Sequence, residues 1–298
     1  MMKVFLTGAG GFIGRNLIKK LHEQNIEVLG CDNTGGRDDI KKISLLDYDE
    51  LKKQIAEFQP DTVIHLAAIA LAIYGNTSEI YNVNVVGTEI LLKVLSEVCK
   101  NKVKLILIST AGVYGNQSEE FYHEDLPFNP ANHYSYSKMV TEYMLRQHPD
   151  LEFTIVRPFN IIGVGQRQVF LIPKLVEHFA KKSRELHVGN LKPERDYVDI
   201  NYCVYILSEL AQRNDMKHSI YNICSGVGHS VEDIIEILAE YSGHNPEIVV
   251  DPAFVRKNEV WRMVGDPTRL LDFVNGKKCS DFRKTLIDMY EYSKNNMI

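Results

Sequence analysis

The sequence has no C-x-x-C pair, no long apolar run and no marked excess of charge of either sign. Its five cysteines, Cys31, Cys99, Cys203, Cys224 and Cys279, are scattered and odd in number. That excludes a disulfide framework and a zinc site, and leaves reduced, buried thiols. The longest largely apolar run, "TVIHLAAIALAIYG", is too short to span a bilayer and contains a histidine. The opening "MMKVFLTGAG" lacks the apolar stretch of a signal peptide. A cytoplasmic protein with no membrane partner is expected. A formal net charge of -5 offers no electrostatic case for nucleic-acid binding. Small anions stay open as ligands, because a local cluster of arginines binds them whatever the total charge. There is no clean linker, repeat or low-complexity tract.

What is present is ample core material: 45% of the 298 residues are hydrophobic and 24% charged. The first half alternates two periodicities. Strand patterns fall at 3–7, 27–31, 40–46, 62–67, 103–109 and 153–158. Helical patterns fall at 12–24, 48–58, 78–99 and 134–147. Repeated β-α units predict an α/β fold, a Rossmann-type doubly wound parallel sheet. The second half reads as helices near 170–183, 201–212, 231–242 and 281–294, with strands at 186–188, 219–223 and 247–250. A dinucleotide-binding domain over 1–160 and a smaller C-terminal α/β substrate-binding lobe over 161–298, with segments crossing back, are expected.

"TGAGGFIG" places Gly8, Gly11 and Gly14 directly after a strand and at the start of a helix. Small residues let the backbone approach a pyrophosphate, and the helix N-terminus supplies N–H groups and partial positive charge. Asp32 ends the second strand eighteen residues after Gly14. A carboxylate there accepts from ribose hydroxyls and repels a 2′-phosphate, which favours NAD(H) over NADP(H). Arg37 pulls the other way. In "HYSYSKMVTEYM" Tyr134 stands four residues before Lys138, on one helical face. A free phenol, with a pKa of about 10, is a poor base at neutral pH; the nearby ammonium would lower it. Tyr136 and Ser137 lack that i+4 lysine partner. His65, inside an apolar strand, reads as a satisfied core histidine.

Taken in order, "TGAGGFIG", "HLAA" (65–68), "NVNVVGT" (82–88), "STAGVYG" (109–115) and "YSYSK" (134–138) resemble the extended short-chain dehydrogenase/reductase family. The resemblance covers nearly the whole chain. It implies a catalytic set of Thr110, Tyr134 and Lys138, with Ser109 second to Thr110. It implies cofactor contacts at Gly8, Gly11, Phe12, Ile13 and Gly14, and at Asp32, Asn33 and Asp47. Further contacts would come from Leu66, Ala67, Ala68, Asn84, Ser109 and Pro158, with Tyr134 and Lys138 at the nicotinamide end. A homodimer built on the helices near 84–99 and 134–147 is also implied, and no metal.

Dehydratases of this family place acidic residues directly after the active-site threonine. Here Ala111 and Gly112 stand there, which argues against dehydration and leaves hydride transfer at a ring carbon. Segments 156–180, 188–200, 221–226 and 256–270 most resemble reductases of GDP-linked 4-keto-6-deoxy sugars, although Lys257 replaces the usual proline. The implied substrate is a nucleotide-diphosphate sugar. Its contacts would be Thr110, Asn160, Arg195, Arg256 and Arg262, with Arg167 weaker, since the guanidinium fork suits phosphate oxygens. The alternative is a UDP-hexose 4-epimerase that keeps NAD tightly bound. A non-catalytic cofactor sensor is disfavoured by the intact Thr110, Tyr134 and Lys138.

Overall fold

The computed structural model describes residues 1–35, 39–70, 76–99, 102–255 and 259–296. The first half runs β1 (Lys3–Thr7), α1 (Phe12–Glu23), β2 (Glu27–Asp32), β3 (Ile40–Lys42), α2 (Tyr48–Phe58) and β4 (Thr62–His65). It continues through α3 (Thr77–Tyr81), α4 (Gly87–Val98), β5 (Lys104–Ile108), α5 (His133–Met144) and β6 (Glu152–Pro158). The second half comprises β7 (Asn160–Ile162), α6 (Leu171–Ala180), β8 (Glu185–Val188), β9 (Glu194–Asp199), α7 (Ile200–Gln212) and β10 (Ile220–Ile223). After these come β11 (Gly228–His229), α8 (Val231–Ser242), β12 (Glu247–Val250), β13 (Arg262–Met263), α9 (Thr268–Phe273) and α10 (Phe282–Asn295).

Seven strands form one sheet in the order β10-β6-β5-β4-β1-β2-β3. Every pairing in it is parallel. The chain winds outward from β1 in one direction and from β4 in the other. The carboxyl ends of β1 and β4 therefore flank a crevice, the usual ligand position in such sheets. Alternate strand residues face opposite sides. Val4 and Leu6 enter one core with α1 and α7, while Phe5 enters a second core with α2 and α4. A third core joins α6, α8 and α10 to β8 and β9. A smaller sheet runs β11-β9-β13, with β7 also paired to β9, and β12 pairs β8. The second half returns to the first. β10 extends the large sheet beside β6, and residues of α7 and α9 fill the first core.

The helix expected over 78–99 is divided. A π-helical turn, Asn82–Val86, separates α3 from α4. The wider turn carries Asn84 inward, where its side chain reaches Ile69 and Ser137. Such turns recur at functional sites. β4 ends at His65, two residues short of the expected end, as the chain turns to bring Ala67 beneath the glycine turn. Strands β7, β9, β11 and β13 and helix α9 lie outside the expected set. The first, third and fourth have only two or three residues, too few to show a period.

Candidate active site

The glycine turn is shaped by what touches it. Gly8 has φ +67°, and a Cβ there would stand 2.7 Å from the Ala67 nitrogen. A Cβ on Gly14 would stand 2.5 Å from the Gly8 carbonyl oxygen. Both positions require glycine for close backbone approach. Gly11 caps α1 without a side-chain acceptor, so the helix start presents N–H groups and positive dipole to the crevice. This cradle fits a pyrophosphate.

Asp32 ends β2 beside that turn. Its Oδ1 accepts from Thr34 N at 2.8 Å, Thr34 Oγ1 at 2.9 Å and Gly35 N at 2.6 Å. Partial burial pushes its pKa up, but hydrogen bonds from Gly35, Thr34 and Gly10 outweigh that, and the carboxylate is held below its ordinary range. A Cβ on Gly10 would overlap Oδ2. Asn33 is exposed at the adjacent turn. Asp47 is the N-cap of α2, accepting from Glu50 N at 3.1 Å. Arg37 lies outside the described residues.

A buried hydrogen-bond chain links this turn to the helix carrying the tyrosine. Ala67 N donates to Thr7 Oγ1 at 3.2 Å. Thr7 Oγ1 and His65 Nδ1 lie 2.6 Å apart, and His65 Nε2 and Thr88 Oγ1 lie 2.8 Å apart. Thr88 Oγ1 donates to the Asn84 carbonyl at 2.5 Å, which assigns the imidazole proton to Nε2. Asn84 Nδ2 donates to Ser137 Oγ at 2.9 Å, and Ser137 Oγ to the Tyr134 carbonyl at 2.7 Å. Burial first, and the Lys138 charge second, push His65 down to about 3, so it is neutral. Both ring nitrogens are satisfied. Leu66 and Ala68 flank Ala67 on the loop after β4, partly buried.

The structure brings Thr110, Tyr134 and Lys138 together at the carboxyl end of β5. Asn132 caps α5, accepting from Ser135 N at 2.9 Å. The Tyr134 phenol shares a hydrogen bond with the Thr110 side chain. Thr110 Oγ1 also accepts from Gly112 N at 3.1 Å. Lys138, 2% exposed, donates to the Ile108 carbonyl at 2.7 Å. Burial pushes its ammonium down to about 8, against the pull of Glu142. The phenol differs from the sequence expectation. Burial pushes it up to about 12, partly offset by the Thr110 hydrogen bond. In the chain alone Tyr134 is therefore a held acid.

Ser109 faces away from Thr110 chemically: its hydroxyl donates to Glu142, inside the core. Pro158 closes β6, and Asn160, exposed two residues later, donates to the Asp196 carbonyl at 2.9 Å. Arg195 on β9 pairs with Glu259 at 2.8 Å, and Arg262 on β13 pairs with Glu194. Arg167 is exposed on the loop before α6. Arg256, like Lys257, lies outside the described residues. Sequence reading missed Glu142, Arg157, Asp196 and Glu259. A charged residue at i+8 from Tyr134, or within the apolar strand "FTIVRP", was the available signal. Among the described residues no cluster could hold a metal ion. Among them, too, no helix is long and apolar enough to cross a membrane.

Comparison with known proteins gives matches along the whole chain. The family model described as the NAD dependent epimerase/dehydratase family matches residues 4–224. GDP-6-deoxy-D-talose 4-dehydrogenase of Aggregatibacter actinomycetemcomitans is 36% identical, over 97% of this chain and 97% of that protein. GDP-6-deoxy-D-mannose reductase of Pseudomonas aeruginosa is 29% identical, over 92% of this chain and 91% of its own length. Among solved structures, Thermus thermophilus UDP-glucose 4-epimerase in complex with NAD superposes with a TM-score of 0.88 at 25% identity, covering 99% of this chain and 100% of that one.

Proposed function

The chain belongs to the NAD dependent epimerase/dehydratase family, and from that premise we propose that it is a nicotinamide-dependent oxidoreductase reducing the C4 ketone of a GDP-linked 4-keto-6-deoxy sugar. The observation that carries the chemistry is the protonated Tyr134 phenol hydrogen-bonded to Thr110 beside the crevice of the large sheet. The substrate class draws on the two relatives named for GDP-6-deoxy sugars. The glycine cradle and Asp32 fit a dinucleotide, and NAD(H) is favoured over NADP(H).

When bound, the reduced nicotinamide supplies the hydride. Thr110 and Tyr134 receive the C4 oxygen of the sugar. Tyr134 gives its proton to that oxygen as negative charge develops there. A phenol held up by burial is suited to donate. The Lys138 ammonium, anchored on Ile108, supports the tyrosine and the cofactor ribose. Asn160, Arg195 and Arg262 are proposed nucleotide-diphosphate contacts, the arginines exchanging their Glu259 and Glu194 partners for phosphate. Arg256 is carried as a further candidate from sequence alone. Dehydration is disfavoured because Ala111 and Gly112, directly after Thr110, offer no side chain that could carry the additional proton transfers.

We place the protein in the cytoplasm as a homodimer joined through α4 and α5, where Val86, just before α4, and Tyr136 and Tyr143 on α5 are exposed. Incubation with GDP-4-keto-6-deoxy-mannose and NADH or NADPH tests the activity. Loss of reduced-nicotinamide absorbance, one equivalent per sugar, is expected. Enzyme purified with tightly held NAD, interconverting UDP-hexoses with none consumed, would instead establish the epimerase.

A further inference from the structure

Further along the reacting face of α5 lies a buried ionic layer that the proposed reaction does not touch. Glu142 stands four residues after Lys138 and eight after Tyr134, so all three share one helical face. Its side chain is 3% exposed, as is that of Arg157 on β6. Arg157 grips it with both arms of its fork: Nε to Oε1 at 3.0 Å and Nη2 to Oε2 at 2.7 Å. Oε1 also accepts from Ser109 Oγ. Arg157 Nη1 donates to the Tyr114 hydroxyl at 3.0 Å and to the Glu124 carbonyl at 2.9 Å. Its guanidinium lies over the rings of Tyr114 and Phe128, at 4.9 and 5.0 Å.

An ion pair at this depth is a poor source of stability, because desolvation of both charges offsets their attraction. Its geometry is informative instead. Three consecutive residues at the end of β5 meet three turns of α5. The Ile108 carbonyl takes Lys138, Ser109 takes Glu142, and Thr110 takes Tyr134. A bidentate fork fixes both distance and plane. We propose that Glu142 is a positioning residue for proton transfer: clamped by Arg157 and Ser109, it sets the register of α5 on β5 that brings Tyr134 to Thr110 and keeps Lys138 charged. The proposal rests on the reading of Tyr134 as the proton donor.

The surroundings of Lys138 support the second role. On its own helix it faces Tyr134 and Glu142; β4 presents neutral His65, and β5 the Ile108 carbonyl. Arg157, from β6, is engaged by Glu142. Glu142 is thus the group opposing the fall of the Lys138 pKa.

The test compares Glu142→Gln, Glu142→Asp and Ser109→Ala with the parent, as full chains loaded with NADH. Glu142→Gln is expected to lower kcat about 10- to 100-fold with KM little changed, as for a small misplacement of reacting groups. The alkaline limb of its pH profile should move to lower pH. Glu142→Asp keeps the charge and should restore the limb while leaving kcat low. Ser109→Ala removes one strut without stranding a charge, and decides the matter if Glu142→Gln does not fold; its kcat should fall severalfold at constant KM. A folded Glu142→Gln with parental kcat and pH profile, or a Ser109→Ala with parental kcat in its place, overturns the proposal. NADH binding, followed by nicotinamide fluorescence against pH, needs no sugar. A parent inactive on every GDP-keto sugar sinks the substrate reading, and the binding limb still decides Glu142: a downward move supports it, and an unmoved limb overturns it.

Discussion

Tyr134 sits where burial holds its proton on, and that suits donation to a developing alkoxide. Tyr134→Phe is expected to reduce kcat by about 10²–10⁴-fold while leaving NADH affinity within a fewfold, measured by steady-state kinetics and nicotinamide fluorescence. Because the phenol is pushed up to about 12 and the Lys138 ammonium down to about 8, the two titrate in separate windows. For reduction, kcat/KM should be level through neutral pH and decline above about pH 8, as the ammonium loses its proton. A decline on the acid side instead would assign the profile to other groups. The proposed cofactor preference rests on Asp32: Asp32→Asn removes the charge opposed to a 2′-phosphate. The ratio of NADPH to NADH efficiency should rise by about tenfold, read from kcat/KM with each cofactor. Residue types were legible where a motif fixed them: the glycines, Thr110, Tyr134 and Lys138. The burial of the phenol was not, since a sequence does not show what covers a side chain, and the expected lowering was reversed for that reason.

The longer helices and strands of the first half were readable because they run far enough to show their period, as α1 does through Leu17, Ile18 and Leu21. The π-helical turn at Asn82–Val86 was hidden, because one inserted position leaves the apolar spacing nearly intact. The short strands of the second half were hidden for the opposite reason, and β9 because "ERDYVD" buries a carboxylate: Asp196 accepts from Ser225 and Gly226 rather than facing solvent. At the amino end of the large sheet, Lys104 shows how one side chain finishes an element. Its buried ammonium donates to the carbonyls of Leu210, Ala211 and Arg213, satisfying the last turn of α7. Lys104→Met strands those carbonyls. It should cost about 1–3 kcal/mol in urea unfolding, with kcat unchanged, because the site lies at the opposite end of the strands.

Helices pack on both faces of one large sheet, and the acid response of the whole reflects what lies between its layers. His65 has a folded pKa far below its ordinary value, so below about pH 6.5 the unfolded chain takes up a proton the folded chain refuses. Stability should therefore fall as pH drops through that region. His65→Asn should flatten the slope, measured by thermal unfolding across acidic buffers. The return of later segments to the large sheet was only half visible in sequence, because it depends on pairings between residues far apart. β10, near residue 220, closes the free edge of β6. During synthesis the large sheet therefore cannot be finished when residue 160 leaves the ribosome. A fragment stopped there would carry an open parallel edge and lack the packing of α7, and it would be found in inclusion bodies.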